Sequence, residues 1–251
     1  VLAVSFGFTL MATEIAIGRK SRLSPMAAFG ALNKKWSWMG KLVTLVPVLI
    51  LPYYCVIGGW VTKYTATTIS GAVQDAAGDN YFSSFISGTG EPLLWFWLFM
   101  TATAVIVFLG VEKGIEKFSR VLMPALLILT ILLSIFVVTR PGAGAGVAYY
   151  LKPDFSKLSM MTVLAALGQL FFSMSLAMGI MITYGSYLRK QDHIEQSVRQ
   201  IEVFDTLVAF LAGLMIVPAV FVYSGGDESA LGKGPSLMFV TLPKVFAEMK
   251  I

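Results

Sequence analysis

The chain has 251 residues, 57% of them hydrophobic and only 13% charged, with a net charge of +5 at pH 7 and a mean hydropathy of +0.77. A water-soluble domain carries about 25% charged residues, so the composition excludes an ordinary soluble globule and points to an integral membrane protein. The single cysteine, Cys55, excludes an internal disulfide, and no His/Cys/carboxylate cluster has metal-ligand spacing.

A helix that spans a bilayer needs about 20 mostly apolar residues. Taken in chain order, the apolar runs predict spans over about 1–17, 42–64, 93–111, 121–139, 160–187 and 200–223. The first run is slightly short. No basic n-region precedes it, and Gly18-Arg19-Lys20 follows it instead of a small-residue cleavage site. It therefore reads as the end of a spanning helix whose beginning is missing, not as a signal peptide.

The connections alternate in charge. Arg19, Lys20, Arg22, Lys34, Lys35 and Lys41 fall between the first two runs with no acid. Lys113, Lys117 and Arg120 fall between the third and fourth, and Arg189, Lys190 and Arg199 near the start of the sixth. The other connections are longer and sparser in bases. Cytoplasmic loops collect Lys and Arg, so the first helix is expected to run outside to inside and the sixth to end outside. This distribution accounts for the net charge without a nucleic-acid partner. "RPGAGAGVAYYLKPDFSKL" predicts an outer loop punctuated by Pro and Gly, with aromatics suited to an interface. The apolar spacing of "GPSLMFVTLPKVFAEM" predicts an amphipathic helix over about 235–249, lying over the outer mouth. "GGDESALGKG" (225–234) is one residue too long for a phosphate loop and ends in Gly234 where Ser or Thr is required.

The run 160–187 is unusual. At 1.5 Å per residue its 28 residues would extend about 42 Å, beyond the hydrocarbon core. Its centre, "GQLFFSMSLAMG" (168–179), mixes an amide, two hydroxyls and two glycines with bulky side chains. Small residues permit close packing of membrane helices. They also permit a break, which survives in lipid only where it is buried in protein or lines a cavity. There, freed carbonyls and hydroxyls are hard oxygen ligands for an alkali cation. Composition leaves both readings open.

The stretch "AALGQLFFSMSLAMGIMITYGSYL" (165–188) closely resembles the sixth transmembrane helix of bacterial neurotransmitter:sodium symporters. Other segments match in the family's order. "ATEIAIGRKSR" (12–22) is similar to the end of the second helix and "VPVLILPYYCVIGGW" (46–60) to the third. "GVEKGIEKFSRVLMPAL" (110–126) is similar to the link from the fourth helix into the fifth, "VFDTLVAFLAGL" (203–214) to the seventh, and "FVTLPKVF" (239–246) to the helical outer loop after it. The resemblance implies an all-α polytopic membrane protein. The chain would be a fragment of about helices two to seven from a partial inverted-repeat (5+5) sodium symporter fold, with the sixth helix broken within about 171–178. The second sodium site would lie in absent helices.

The same resemblance implies a site. Phe172, Ser173, Ser175, Ala177 and Met178 match the unwound segment: Ser173 as a sodium ligand, Phe172 as an aromatic lid, Ser175 at the substrate's ammonium group and Met178 in the side-chain pocket. Ala177 stands where relatives frequently carry glycine, which implies a limit on unwinding. Tyr54 matches a tyrosine that holds the substrate carboxylate, with Ile50 one turn earlier on the same face. Read without the family, Tyr54 is as readily an interface anchor. Asp205 aligns with an amide position of the first sodium site, near which chloride-dependent relatives bind chloride. A fixed carboxylate there implies chloride independence, although on sequence alone Asp205 could equally reach water at the helix end. Glu14 would accept N–H groups freed by the break. Gln169 would support the outer gate, and Tyr184, Ser186 and Tyr187 match the inner gate region.

These residues imply sodium-coupled symport of an amino acid or related amine by alternating access in a bacterial or archaeal plasma membrane, with sodium and the substrate as partners alongside the lipid bilayer. The alternative is a non-transporting structural or regulatory membrane subunit. An intramembrane hydrolase would need a Ser–His or paired-Asp arrangement at membrane depth, and His193 lies in a charged connection.

Overall fold

The computed structural model describes residues 2–226, 231 and 236–249, leaving aside the side chains of 111–113, 157 and 236. Among the described residues it is helical with no strand. Most of the glycine-rich stretch 225–234 lies outside them.

A π-helical turn, Ala3–Gly7, leads into α1, Phe8–Ser21. Then follow α2 (Pro25–Leu32), a 3₁₀ turn (Lys34–Trp36) and α3 (Ser37–Ile69). The short helices α4 (Val73–Ala76) and α5 (Tyr81–Ser87) precede α6, Gly90–Phe108. A π-helical segment, Val111–Glu116, opens α7, Lys117–Val138. Next come α8 (Ala143–Leu151), a 3₁₀ turn (Phe155–Lys157), α9 (Met160–Ser173) and α10 (Ile180–Tyr187). The last are α11, Ile194–Ser224, and α12, Ser236–Met249.

Among the described residues four helical segments are long and apolar enough to cross a membrane: Lys34–Ile69, Gly90–Phe108, Gly114–Val138 and Ile194–Ser224. The run 160–187 is not a fifth, because its break leaves two short halves. The first run is not counted either, since its π-helical start shortens the regular helix. α3 extends about 50 Å and carries Pro47 and Pro52 within its length. Gly110, at φ +86°, ends the α6 segment before residue 111.

The fold resolves into two compact units. The first comprises Val1–Pro52 with Asp154–Leu207, the second Tyr53–Pro153 with Val208–Ile251. In the first, Met11, Ile15 and Gly18 recur at helical spacing along α1 and are buried. Met11 and Ile15 pack with Met174, Leu176, Met181 and Val198 in one apolar cluster. The α1–α10 contact is a backbone approach. A Cβ on Gly18 would stand 2.0 Å from the Ile182 carbonyl oxygen, and one on Gly185 2.3 Å from that of Ile15. Arg22 ends α1 in the left-handed conformation, and its guanidinium donates to the Ser186 carbonyl at 3.1 Å.

In the second unit Phe82 stacks on Phe239 of α12 at 5.4 Å, with Trp60 edge-on to Phe239 at 5.5 Å. Val137, Ala219 and Val245 form a buried cluster. The segment expected as a Pro/Gly loop, 140–158, instead contains α8. Gly146 is what lets it pack, since a Cβ there would meet the Pro218 Cα at 2.6 Å. Of the glycines expected to break the chain, Gly146 serves close helix packing, while Gly142 turns the chain into α8 at φ +88° and Gly144 faces open space. Tyr150 at the end of α8 donates to the Phe210 carbonyl at 3.2 Å, and burial pushes its phenol above the ordinary range.

Candidate functional site

The helix over 160–187 is broken. α9 starts in a reciprocal cap: the Ser159 hydroxyl accepts the Thr162 N–H at 3.2 Å and the Thr162 hydroxyl accepts the Ser159 N–H at 3.4 Å. The ladder holds as far as Met174, whose N–H still reaches the Leu170 carbonyl at 3.0 Å. The break therefore occupies Met174–Gly179, within the expected 171–178 except for Gly179. Phe172 and Ser173 sit in the last helical turn and not in the unwound strand of chain.

The break has a regular form. Ser175, Ala177 and Gly179 take positive φ, at 52°, 59° and 73°. Positive φ at every second residue takes the chain out of helical geometry. Two turns close it on the α9 side: Ser175 N–H to Phe172 O at 3.3 Å and Leu176 N–H to Phe171 O at 2.9 Å. Ala177 does not limit the unwinding, because it enters the left-handed region itself, at a cost of about 1–2 kcal/mol for a residue with a Cβ. Gly179 is positioned by both conformation and space. It is buried, and a Cβ would stand 2.8–2.9 Å from Pro25 and Val43 side-chain atoms.

Two carboxylates converge on this segment. Glu14 of α1 accepts the Ala177 N–H at 2.6 Å through Oε1. This offsets the several kcal/mol that an orphaned N–H costs away from water. Asp205 of α11 accepts the Ser173 hydroxyl, at 2.7 Å to Oδ1 and 2.9 Å to Oδ2. A hydroxyl has one proton, so the two distances describe one shared bond, and the lone pairs of Oγ stay available to a cation. All four residues belong to the first unit.

The other expected residues fall as follows. Met178 is half-buried within the break, and Phe172 is 40% exposed. Ile50 is half-buried and Gln169 exposed. Ser186 bonds the Thr183 carbonyl at 2.6 Å, while Tyr184 and Tyr187 are exposed. Tyr54 belongs to the second unit and is half exposed. Among the described residues no group of three His, Cys, Asp or Glu side chains could hold a metal. An alkali cation must therefore rely on hydroxyl, carbonyl and single carboxylate oxygens.

Sequence reasoning passed over Glu202. It is only 7% exposed, one turn before Asp205, and its Oε1 has no hydrogen-bond partner among the described residues. The signal was its spacing from Asp205 and from buried Val198, three and four residues away along one helix face.

The pattern of the Sodium:neurotransmitter symporter family matches residues 81–251. An uncharacterized sodium-dependent transporter of Bacillus subtilis, YhdH, is 35% identical over 99% of this chain and 55% of its own length. An uncharacterized sodium-dependent transporter of Haemophilus influenzae is 34% identical over 99% of this chain and 57% of its own. The crystal structure of MhsT in complex with L-phenylalanine aligns with a TM-score of 0.90 at 38% identity, over 98% of this chain and 56% of that one. The chain thus spans about half the length of the curated relatives it matches. Those relatives are named as transporters and not as enzymes. With the family pattern covering well over half of its residues, the chain belongs to the sodium:neurotransmitter symporter family.

Proposed function

We propose that the chain supplies part of the substrate and sodium site of a sodium-coupled symporter for an amino acid, working by alternating access in the cytoplasmic membrane. The observation that carries this reading is the pairing of Ser173 with Asp205 beside the break at Met174–Gly179. The sodium ion, as co-transported cargo, would take oxygens from the Ser173 hydroxyl, the Asp205 carboxylate and carbonyls freed by the break. The substrate's ammonium group would meet Ser175 and the carbonyls of 172 and 173, its carboxylate the Tyr54 hydroxyl, and its side chain Phe172, Met178, Ala177 and Ile50.

A permanent charge on Asp205 makes the cycle chloride-independent in this reading. Met178, Ile50 and Phe172 favour a large apolar amino acid, and the phenylalanine-bound relative supports that class. Sodium binding would tie α9 to α11 across the break, and substrate would add contacts available in only one of the two facing states. A ligand shifts such a balance only through differential affinity for the two states. The test is uptake of labelled phenylalanine and other amino acids by the full-length protein in proteoliposomes, with sodium or potassium outside. Uptake that requires the sodium gradient is expected. Equal uptake in both salts, or none for any amino acid, would overturn the proposal.

A further inference from the structure

A cleft of about 890 Å³ opens beside α1 in the first unit, and the transport reading leaves it unused. Its wall includes Ala12 and Ala16 of α1, with Arg19 at the end of that stripe. The opposite side is the 189–196 segment, which contributes Lys190, Asp192 and Glu195. The volume lies within the range of small-molecule sites, about 300–1,000 Å³.

The charges in this cleft balance in number but are not paired with one another. Two cations and two carboxylates line one space, and no ion pair joins them among the described residues. Arg19 is oriented by one bond, to the Asp192 backbone carbonyl at 2.7 Å, which leaves most of its guanidinium fork free. The Asp192 carboxylate is partly engaged, accepting the Arg189 N–H at 2.7 Å. That bond fixes the loop and leaves Lys190 and Glu195 as the exposed charges of opposite sign. A ligand that satisfies this set carries a phosphate and a primary ammonium a few ångströms apart. Ala12 and Ala16 lie one turn apart on the face of α1 that lines the cleft beyond Arg19, and their small side chains leave room for an acyl chain.

We infer that this cleft is a binding site for an aminophospholipid of the inner leaflet, with its phosphodiester on Arg19 and Lys190, its ammonium on Glu195 and an acyl chain along Ala12 and Ala16. The orientation follows from the basic connections that flank α1. A glycerol headgroup carries the same phosphodiester charge but no ammonium to meet Glu195. A quaternary headgroup has no N–H to give Glu195. The site therefore selects ethanolamine lipids over both glycerol and choline lipids.

The test is native mass spectrometry of the delipidated full-length protein, titrated separately with short-chain phosphatidylethanolamine, phosphatidylcholine and phosphatidylglycerol. Preferential retention of phosphatidylethanolamine is expected, weakened about threefold to tenfold by Glu195→Gln and by Lys190→Ala, as befits loss of one charge-assisted contact at a solvated rim. Both substitutions are at exposed positions, so Arg19, which also braces the loop, need not be altered. Equal retention of the three lipids, or retention indifferent to both substitutions, overturns the inference. So does competition by free phosphorylethanolamine as strong as that by the lipid, since the cleft would then be a site for a soluble ligand.

Discussion

Asp205→Asn separates two roles for the carboxylate by the size of its effect. In the structure Asp205 receives the Ser173 hydroxyl at 2.7 and 2.9 Å. Asparagine keeps the shape and one acceptor oxygen, so the Ser173 bond survives in neutral form. The loss from that bond alone is about 1 kcal/mol, or roughly fivefold. If the carboxylate also supplies the charge that holds sodium, the loss is far larger. Two unit charges about 4 Å apart attract by about 4 kcal/mol at an effective dielectric of about 20. Even with part of this lost to solvent, sodium affinity should fall about 100-fold or more. The assay is the sodium concentration giving half-maximal uptake in the full-length protein, for wild type and variant, in chloride and in gluconate. The expected result is wild-type uptake indifferent to the anion and a variant with little uptake, partly restored by chloride if the remaining anion ligands exist. A variant midpoint within fivefold of wild type, or a wild type that stops when chloride is removed, would refute the reasoning.

Other outcomes follow from the same geometry. Ser173→Ala removes the hydroxyl proposed as a ligand and should raise the sodium midpoint about tenfold or more; an unchanged midpoint would take Ser173 out of the ion site. Tyr54→Phe should weaken substrate binding by about 1.5–3 kcal/mol, read by calorimetry, and equal affinities would dismiss the tyrosine from the carboxylate. Gly185→Ala forces a Cβ to 2.3 Å from the Ile15 carbonyl oxygen and should destabilise the α1–α10 contact by about 1–3 kcal/mol. Gly168→Ala has nothing within 4 Å of the added carbon and serves as its control; equal melting temperatures for the two variants would contradict the close approach. Lys244 of α12 donates to Asp79 at 2.6 Å and holds that carboxyl below the usual range. A depressed folded value means the contact contributes above the ordinary aspartate range and is lost as pH falls through the lowered one. Protection of the α12 amides, taken relative to their intrinsic exchange rates, should therefore stay flat from neutral to mildly acidic pH and fall only in strong acid, and Asp79→Asn should remove that dependence.

Residues near the break show how far the sequence reached. The excess length of 160–187 and its Ser- and Gly-containing centre were enough to expect an interruption, because hydrocarbon thickness limits a spanning helix. Composition could not choose between tight packing and a break. The structure shows both, in different residues: Gly18 and Gly185 bring backbones together, while Ser175, Ala177 and Gly179 turn the chain. Within the expected range the break starts only at Met174, because the Met174 N–H keeps its Leu170 partner, a balance of single hydrogen bonds that residue type does not reveal.

Apolar run length and the placement of Lys and Arg determine by themselves that this is a multi-helix membrane protein, since lipid admits only self-satisfied backbone and charge resists crossing. Pairings distant in sequence are a different matter. The Ala177 N–H donates to Glu14, 163 residues away, and Ser173 to Asp205, 32 residues away. Local periodicity carries no information about which acid meets which freed group. Only tertiary packing decided that α1 and α11 each bring a carboxylate to the broken helix, because a buried unpaired N–H or charge is tolerated only where another element supplies its partner.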